Sequence, residues 1–282
     1  MAVREEVQIA LYELRKNLRS KKGIAMFVLF FLGGAVPSVG QILIDNAQRA
    51  AHIENIPEEA KREMVEKTLL AVYRGDHDIA SYLAHCPPVL LFLFQGTLFF
   101  LPLLALLVGF DQIAGEVQHR SMRYIIGRAP RHAIVIGKAL GVWGVIATMV
   151  LVLHLVVWVV MIVQSDYGVA LTLSWGARLW LFSVAFAAAY VGLVNLVSSW
   201  FKMPVLSLFI GAGVAFGLWL ARLIVLAIGD RAEALTWVFP STYEQFMVSP
   251  DPLRSLLGCA LAIGWGALAV GLASMIVRRR DL

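Results

Sequence analysis

Six stretches of the chain are apolar throughout, roughly 24–44, 89–110, 139–163, 179–200, 204–228 and 255–277. Each reaches the roughly 20 residues that a helix needs to cross ~30 Å of hydrocarbon. Lipid offers backbone N–H and C=O groups no partner, so each stretch is predicted to be helical. Between the fourth and fifth only Ser198 to Met203 intervene, punctuated by Lys202 and Pro204. This predicts a tight hairpin rather than one long helix. Residues 1–23 follow a different pattern. Val7, Leu11, Leu14 and Leu18 recur at helical spacing with charges between them, which predicts an amphipathic helix lying in the membrane interface. The fold expected is therefore all-α: a polytopic membrane protein with six transmembrane helices in 24–282, preceded by an N-terminal amphipathic interfacial helix.

Composition agrees with that reading. Hydrophobic residues make up 60% of the 282 and charged residues 15%, whereas soluble domains average about 45–50% and about 25%. The formal net charge of +5 does not signify a nucleic-acid partner, because the basic residues are not gathered into one patch interleaved with aromatics. The first apolar run follows a long charged segment and lacks a small-residue cleavage site, so it reads as a span and not as a signal peptide.

The positions of the cations set orientation. Arg4, Arg15, Lys16, Arg19, Lys21 and Lys22 precede the first span, and Arg120, Arg123, Arg128, Arg131 and Lys138 lie in 111–138. Lys202 sits in the fourth hairpin, and Arg278, Arg279 and Arg280 follow the last span. Segment 164–177 has no Lys or Arg, and in loop 45–87 the acids outnumber the bases. Cytoplasmic loops carry the Lys/Arg excess, so both termini are expected in the cytoplasm.

Loop 45–87 is expected to be an ordered outer cap. Asn55, Pro57 and Glu58 form a helix-start signal. Glu58–Arg62 and Glu63–Lys67 are i, i+4 pairs, and Met64, Val65, Leu69 and Val72 make an apolar face. Asp76, His77, Asp78, His85 and Cys86 are competent metal ligands by type. Their spacing repeats no compact ligand pattern, so a polar turn before the helix start at Pro87–Pro88 is preferred and no metal is assigned. Segment 229–254, with Trp237, Phe239, Pro240 and Tyr243, suits either an outer aromatic belt or a short helix dipping into the outer leaflet. Cys86 and Cys259 both fall toward the outer side, and their pairing is left open.

Within the spans, His154 and Arg222 are the intramembrane polar candidates. Arg222 lies near the outer end of its span, where its stem can snorkel. His154 is expected as a neutral group bonded to a neighbouring helix. No row of Asp and Glu provides an ion relay. Gly258, Ala262 and Gly266 recur every four residues, a face that lets helices approach closely.

The loop 111–138 holds the most specific pattern. Asp111, Gly115 and Glu116 stand as D-x-x-x-G-E after the second span, then Pro130-Arg131, then Gly137-Lys138 before the third. This resembles the permease subunits of ABC-2 type ABC transporters, although the stretch from Arg123 to Pro130 departs from the leucine-rich turn common in that family. The resemblance implies a permease subunit of an ATP-driven transporter, an exporter in the cell (inner) membrane. It implies two partners besides the bilayer, a second permease copy or paralogue and an ATP-binding cassette ATPase. It also implies a coupling segment at Asp111, Gly115, Glu116, Arg120 and Arg123. The chain holds no G-x-x-x-x-G-K-[ST] phosphate cradle. Gly137-Lys138 is followed by Ala139, with His132 where the first glycine belongs. ATP and Mg are therefore expected on the partner ATPase, with no cofactor and no catalysis on this chain. A membrane scaffold or sensor is the alternative. An intramembrane enzyme is weaker, because the spans hold no H-E-x-x-H and no deep carboxylate pair.

Overall fold

The computed structural model describes residues 2–50, 58–73, 75–127, 129–164, 167–228 and 233–280. The described residues are helical with no strand, and six of the helices are long and apolar enough to cross a membrane. The chain is an all-α polytopic membrane protein. Helix α1 (Ala2–Arg19) leads into α2 (Lys21–Ala50), the first span. Helices α3 (Glu58–Val72) and α4 (His77–Leu83) form the cap before the second span, α5 (Pro88–Gly109). Two short helices, α6 (Ala114–Gln118) and α7 (Met122–Ile126), separate it from the third, α8 (Arg131–Gln164). Then follow α9 (Val169–Trp200), α10 (Pro204–Ile228), the short α11 (Glu233–Thr236) and α12 (Tyr243–Met247), and the last span, α13 (Pro252–Arg279).

Local chemistry fixes where these helices begin and end. Pro88, Pro204 and Pro252 open three spans, at positions where the missing N–H costs nothing and φ is already helical. Asp76 accepts the amide of Ile79 and Asp251 that of Leu253, capping α4 and α13. Phe201 is extended, so α9 and α10 are separate helices joined by a sharp turn.

Helix α9 is the hub of the bundle, packed by α13, α8 and α5, with α10 more loosely attached. The α9–α13 crossing is close because both helices present glycine. A Cβ at Gly192 would overlap the Gly266 carbonyl, and one at Gly266 would overlap that of Ala188. The Gly258–Ala262–Gly266 stripe thus serves two partners: Gly266 meets α9, while Gly258 lies under Phe246 and Met247 of α12. On α10, by contrast, only Ser207 and Gly211 are buried.

Helix α1 has two working faces. Val7 and Leu11 of the predicted apolar face stay exposed, whereas Leu14 and Leu18 of the same face pack partly against the bundle. The opposite face packs on α8 at two glycines: a Cβ at Gly137 would come within 2.7 Å of Ile9, and one at Gly141 within 2.6 Å of the Glu13 side chain. The buried face therefore carries a carboxylate, which the apolar spacing alone does not reveal.

In the cap, Asn55 lies outside the described residues, and so does the Glu58 side chain. Glu63 and Lys67 pair at 2.8 Å. Leu69 and Tyr73 are buried, whereas Met64 and Val72 remain exposed, so the inward face runs through Tyr73. Cys86 and Cys259 are free thiols.

Candidate functional site

The basic segments of the chain meet at one end of the bundle. There α6 and the turn leading into it are held by bonds from three other helices, and α7 packs through Met122 and Ile126. Ser198 of α9 accepts the amides of Ile113 and Ala114, each at 3.1 Å, and donates to the Phe110 carbonyl at 3.0 Å. Its hydroxyl does for the start of α6 what an N-cap residue does from within a chain. Gln112 donates to the Lys138 carbonyl at 2.9 Å. Arg120 then takes φ 57°, a left-handed conformation that a non-glycine residue adopts at a cost. It turns the chain sharply between α6 and α7.

An ion cluster lies behind α6. Lys138 of α8 is 1% exposed and Glu13 of α1 4%. The Lys138 ammonium donates to Glu13 at 2.6 Å and to Glu116 at 2.8 Å. Lys16 approaches the same carboxylates at 3.7 and 3.8 Å, and Ser121 donates to Glu116 at 3.2 Å. Two cations thus face two carboxylates, and the ammonium joins α1, α6 and α8 at a single point. A desolvated charge is tolerable only when paired and hydrogen-bonded in this way. Nearby, Lys22 of α2 pairs with Asp111 at 2.7 Å and lies over the Phe110 ring. The groups enclose a cavity of about 370 Å³ lined by Glu13, Lys16, Asp111, Glu116, His119 and Lys138.

The expected coupling residues separate into two sets. Asp111 and Glu116 direct their carboxylates toward Lys22 and Lys138, and Gly115 packs near Pro204. Arg120 faces outward, as do Gln118, His119 and Tyr124, the last 83% exposed. Arg123 stands in α7 by its backbone, and its side chain lies outside the described residues. Lys138 and Glu13 join the cluster although sequence reasoning gave them no role in it. Lys138 enters the sequence reading as a topology signal and as half of the Gly137-Lys138 match, and Glu13 reads as part of the polar face of α1.

Two other arginines counted as topology signals are helix caps. Arg131 donates to the carbonyls of Val277, Arg278 and Arg280 at 2.8 to 3.1 Å. Arg280 donates to those of Ser199, Trp200 and Phe201. Each satisfies the orphan acceptors at the end of a span and complements the negative end of its dipole. Arg178 is the cation that the sequence reading passes over, since it falls between 164–177 and 179–200. It hydrogen-bonds Tyr82 of α4 and reaches Ser255 of α13 at 3.4 Å.

His154 is buried, and its Nδ1 lies 2.9 Å from the Val150 carbonyl of its own helix. The expected bond to a neighbouring helix is thus replaced by one to its own preceding turn, with the Trp158 ring edge-on beside it. Arg222 lies toward the far end of α10, beside the second polar cluster of the molecule. There Gln95 of α5 donates to the Tyr73 hydroxyl at 2.5 Å and to Glu244 of α12 at 3.0 Å, and Tyr73 donates to Glu244 at 3.2 Å. Burial pushes the Glu244 carboxyl above its usual range; the Gln95 bond, the Arg222 charge and the Tyr73 bond pull the other way. Asp76 and His85 are spent on helix-end bonds, to Ile79 and to the Ser81 carbonyl.

Six long apolar helices, with short helices at the basic end, define a polytopic membrane protein. The chain belongs to the ABC-2 family transporter proteins, whose family profile matches residues 7–254. No curated protein matches it.

Proposed function

We propose that this chain is the permease half of an ATP-driven exporter, and that α6 and α7 receive the motion of a separate ATP-binding cassette ATPase. The observation that carries the reading is the ion cluster at Lys138. It links α6, a short helix between two spans at the basic end, to α1 and α8, so a push on α6 is passed to a long span. Asp111, Gly115 and Glu116 act as positioning groups. Arg120, His119 and Tyr124 form the contact surface, in a wet interface where charges set orientation and specificity. The pathway forms as a dimer with a second copy or a paralogue. The basic end is cytoplasmic by the positive-inside rule, with both termini there in a cell membrane. ATP and Mg reside on the partner, because this chain lacks a phosphate cradle.

The test is purification of the tagged chain from its host in mild detergent, followed by ATPase assays in lipid discs. A co-purifying P-loop ATPase is expected. Tyr124→Ala and Arg120→Ala should weaken its retention without altering the thermal stability of the permease. Glu116→Ala should uncouple hydrolysis while also lowering stability. Recovery of the chain with no ATPase under gentle conditions overturns the reading in favour of a scaffold or sensor.

A further inference from the structure

The second polar cluster closes one end of an open groove. The groove has a volume of about 590 Å³ and runs between α5 and α10. That is within the range of roughly 300–1,000 Å³ typical of small-molecule sites. Its body is apolar and rich in rings: Phe99, Phe186, Phe216, Trp219 and Phe239 all line it. The rings are preset, with Phe216 stacked on Trp219 at 5.7 Å and Phe186 tilted on Tyr190 at 5.2 Å. Small residues also line it, with Ala212 and Ala215 of α10 beside the rings. Tight helix approach continues this below, where a Cβ at Gly211 would come within 2.5 Å of Leu106.

The closed end differs in kind. Gln95, Tyr190, Arg222, Ser241 and Glu244 meet there. Arg222 stands 18 residues beyond the start of α10, about 27 Å along it at 1.5 Å per residue. Gln95 stands seven residues from the opposite end of α5, about 10 Å in. The polar end therefore lies about 10 Å inside the ends of α5 and α10 that face away from the ion cluster. Glu244 is fixed there by Gln95 and by Tyr73 of the cap. The segment that carries it is tied down by Tyr243 donating to the Trp237 carbonyl at 2.6 Å and Thr242 to that of Thr236 at 2.7 Å.

We infer that this groove binds a zwitterionic amphipath of the outer leaflet, with its chain along the rings of α5 and α10 and its head between Arg222 and Glu244. One cation and one anion at the end of an apolar slot complement a head that carries both signs. A phosphate meets the guanidinium and an ammonium meets the carboxylate. A head with a single charge would lie against a like charge in a poorly hydrated place, which is costly. The binding needs neither ATP nor a partner chain, so it stands apart from the transport reading.

The test uses the full chain in discs of anionic phosphatidylglycerol, which supply no competing zwitterion. The probes are 12-bromododecylphosphocholine, 12-bromododecyl sulfate and 12-bromododecyltrimethylammonium, read by tryptophan quenching. The phosphocholine probe should quench saturably, about tenfold tighter than either singly charged probe. Trp219→Phe should remove the saturable part. Arg222→Gln and Glu244→Gln should each reduce the preference to less than about threefold. If either variant fails to fold, displacement from the native chain decides: unbrominated dodecylphosphocholine should restore the fluorescence and dodecyl sulfate should not. Non-saturable quenching by all three probes is the behaviour of ordinary boundary lipid and overturns the inference. So does a saturable signal that survives Trp219→Phe, or a preference untouched by both charge substitutions.

Discussion

Polar clusters built around carboxylates lie toward the two ends of α5, and they differ in how their charges are enclosed. At the basic end, Lys138 is held between Glu13 and Glu116 with Lys16 beside them. At the other end, Glu244 takes bonds from two neutral groups, Tyr73 and Gln95, and the Arg222 that influences it lines an open groove. A cluster closed on itself behaves as a joint between helices. A cluster whose bonds to the carboxylate come from neutral donors at the mouth of a groove is placed to answer to what enters. The first should therefore be intolerant of substitution, and the second should show its substitutions mainly through pH and ligand.

Removing Lys138 should produce the largest effect. Lys138→Met leaves the buried Glu13 with only the half-exposed Lys16 beside it, and losing one partner of a buried pair costs about 3–5 kcal/mol. Thermal unfolding in detergent should show this, and adding Glu13→Leu should recover part of the loss because the stranded charge is gone. If the single variant is as stable as the native chain, the joint at Lys138 does not hold α1 to α8. Next in size is Gly141→Leu, which drives a side chain into Glu13 and Ala10. Overpacking of this kind costs about 1–3 kcal/mol. Faster proteolysis within residues 2–19 should accompany it, since α1 would lift from α8. Cleavage unchanged from the native chain would mean that the close approach is not what seats α1.

How much of this was legible in sequence follows from how each residue is used. The six spans were readable because the hydrocarbon thickness demands long uninterrupted apolar runs. The pattern Asp111, Gly115, Glu116 drew attention to the stretch that holds α6 through its resemblance to ABC-2 permeases, not through any spacing rule. Lys138 was hidden at the edge of an apolar run, where a lysine ordinarily snorkels. Glu13 was hidden because helical periodicity ranks it as polar surface; only the glycines facing it at Gly137 and Gly141 explain its burial, and that pairing spans more than a hundred residues. Arg131 and Arg280 looked like orientation signals, and nothing local marks an arginine that caps a helix remote in sequence. The cluster at Glu244 joins α3, α5 and α12, three elements that no spacing rule connects. His154 was located correctly, and its partner was not, since bonding to one's own preceding turn leaves no trace beyond the residue itself.

The outer cluster should respond more gently, and to pH. Glu244 titrates above the ordinary glutamate range because burial disfavours its charge. A carboxyl raised in the folded state contributes stability that is complete below its unfolded pKa and is lost as pH rises through the folded value. Glu244→Gln keeps a neutral group at every pH. The variant and the native chain should therefore melt together at acid pH, and above the raised value the variant should melt higher. A difference of about 2–4 °C corresponds to about 1 kcal/mol in a chain of this size. A variant that melts lower at high pH would show that the ionised carboxylate is the stabilising form, held by Arg222, and the contrast between the two ends would narrow.

The smallest effect is expected in the same cap, at Glu63 and Lys67. The pair is formed at 2.8 Å, but both side chains are largely exposed. Such pairs gain little over their separate hydration and are screened by salt. Glu63→Gln should leave the melting temperature unchanged at low and high salt alike. Tyr73→Phe, six residues beyond Lys67, removes a buried hydroxyl that binds Gln95 and Glu244 and should lower it measurably. If the two substitutions were equal, α3 would be held by its surface charges and not by its buried edge. The cap would then be loosely tethered, and a cluster that depends on Tyr73 could not hold Glu244 in one place.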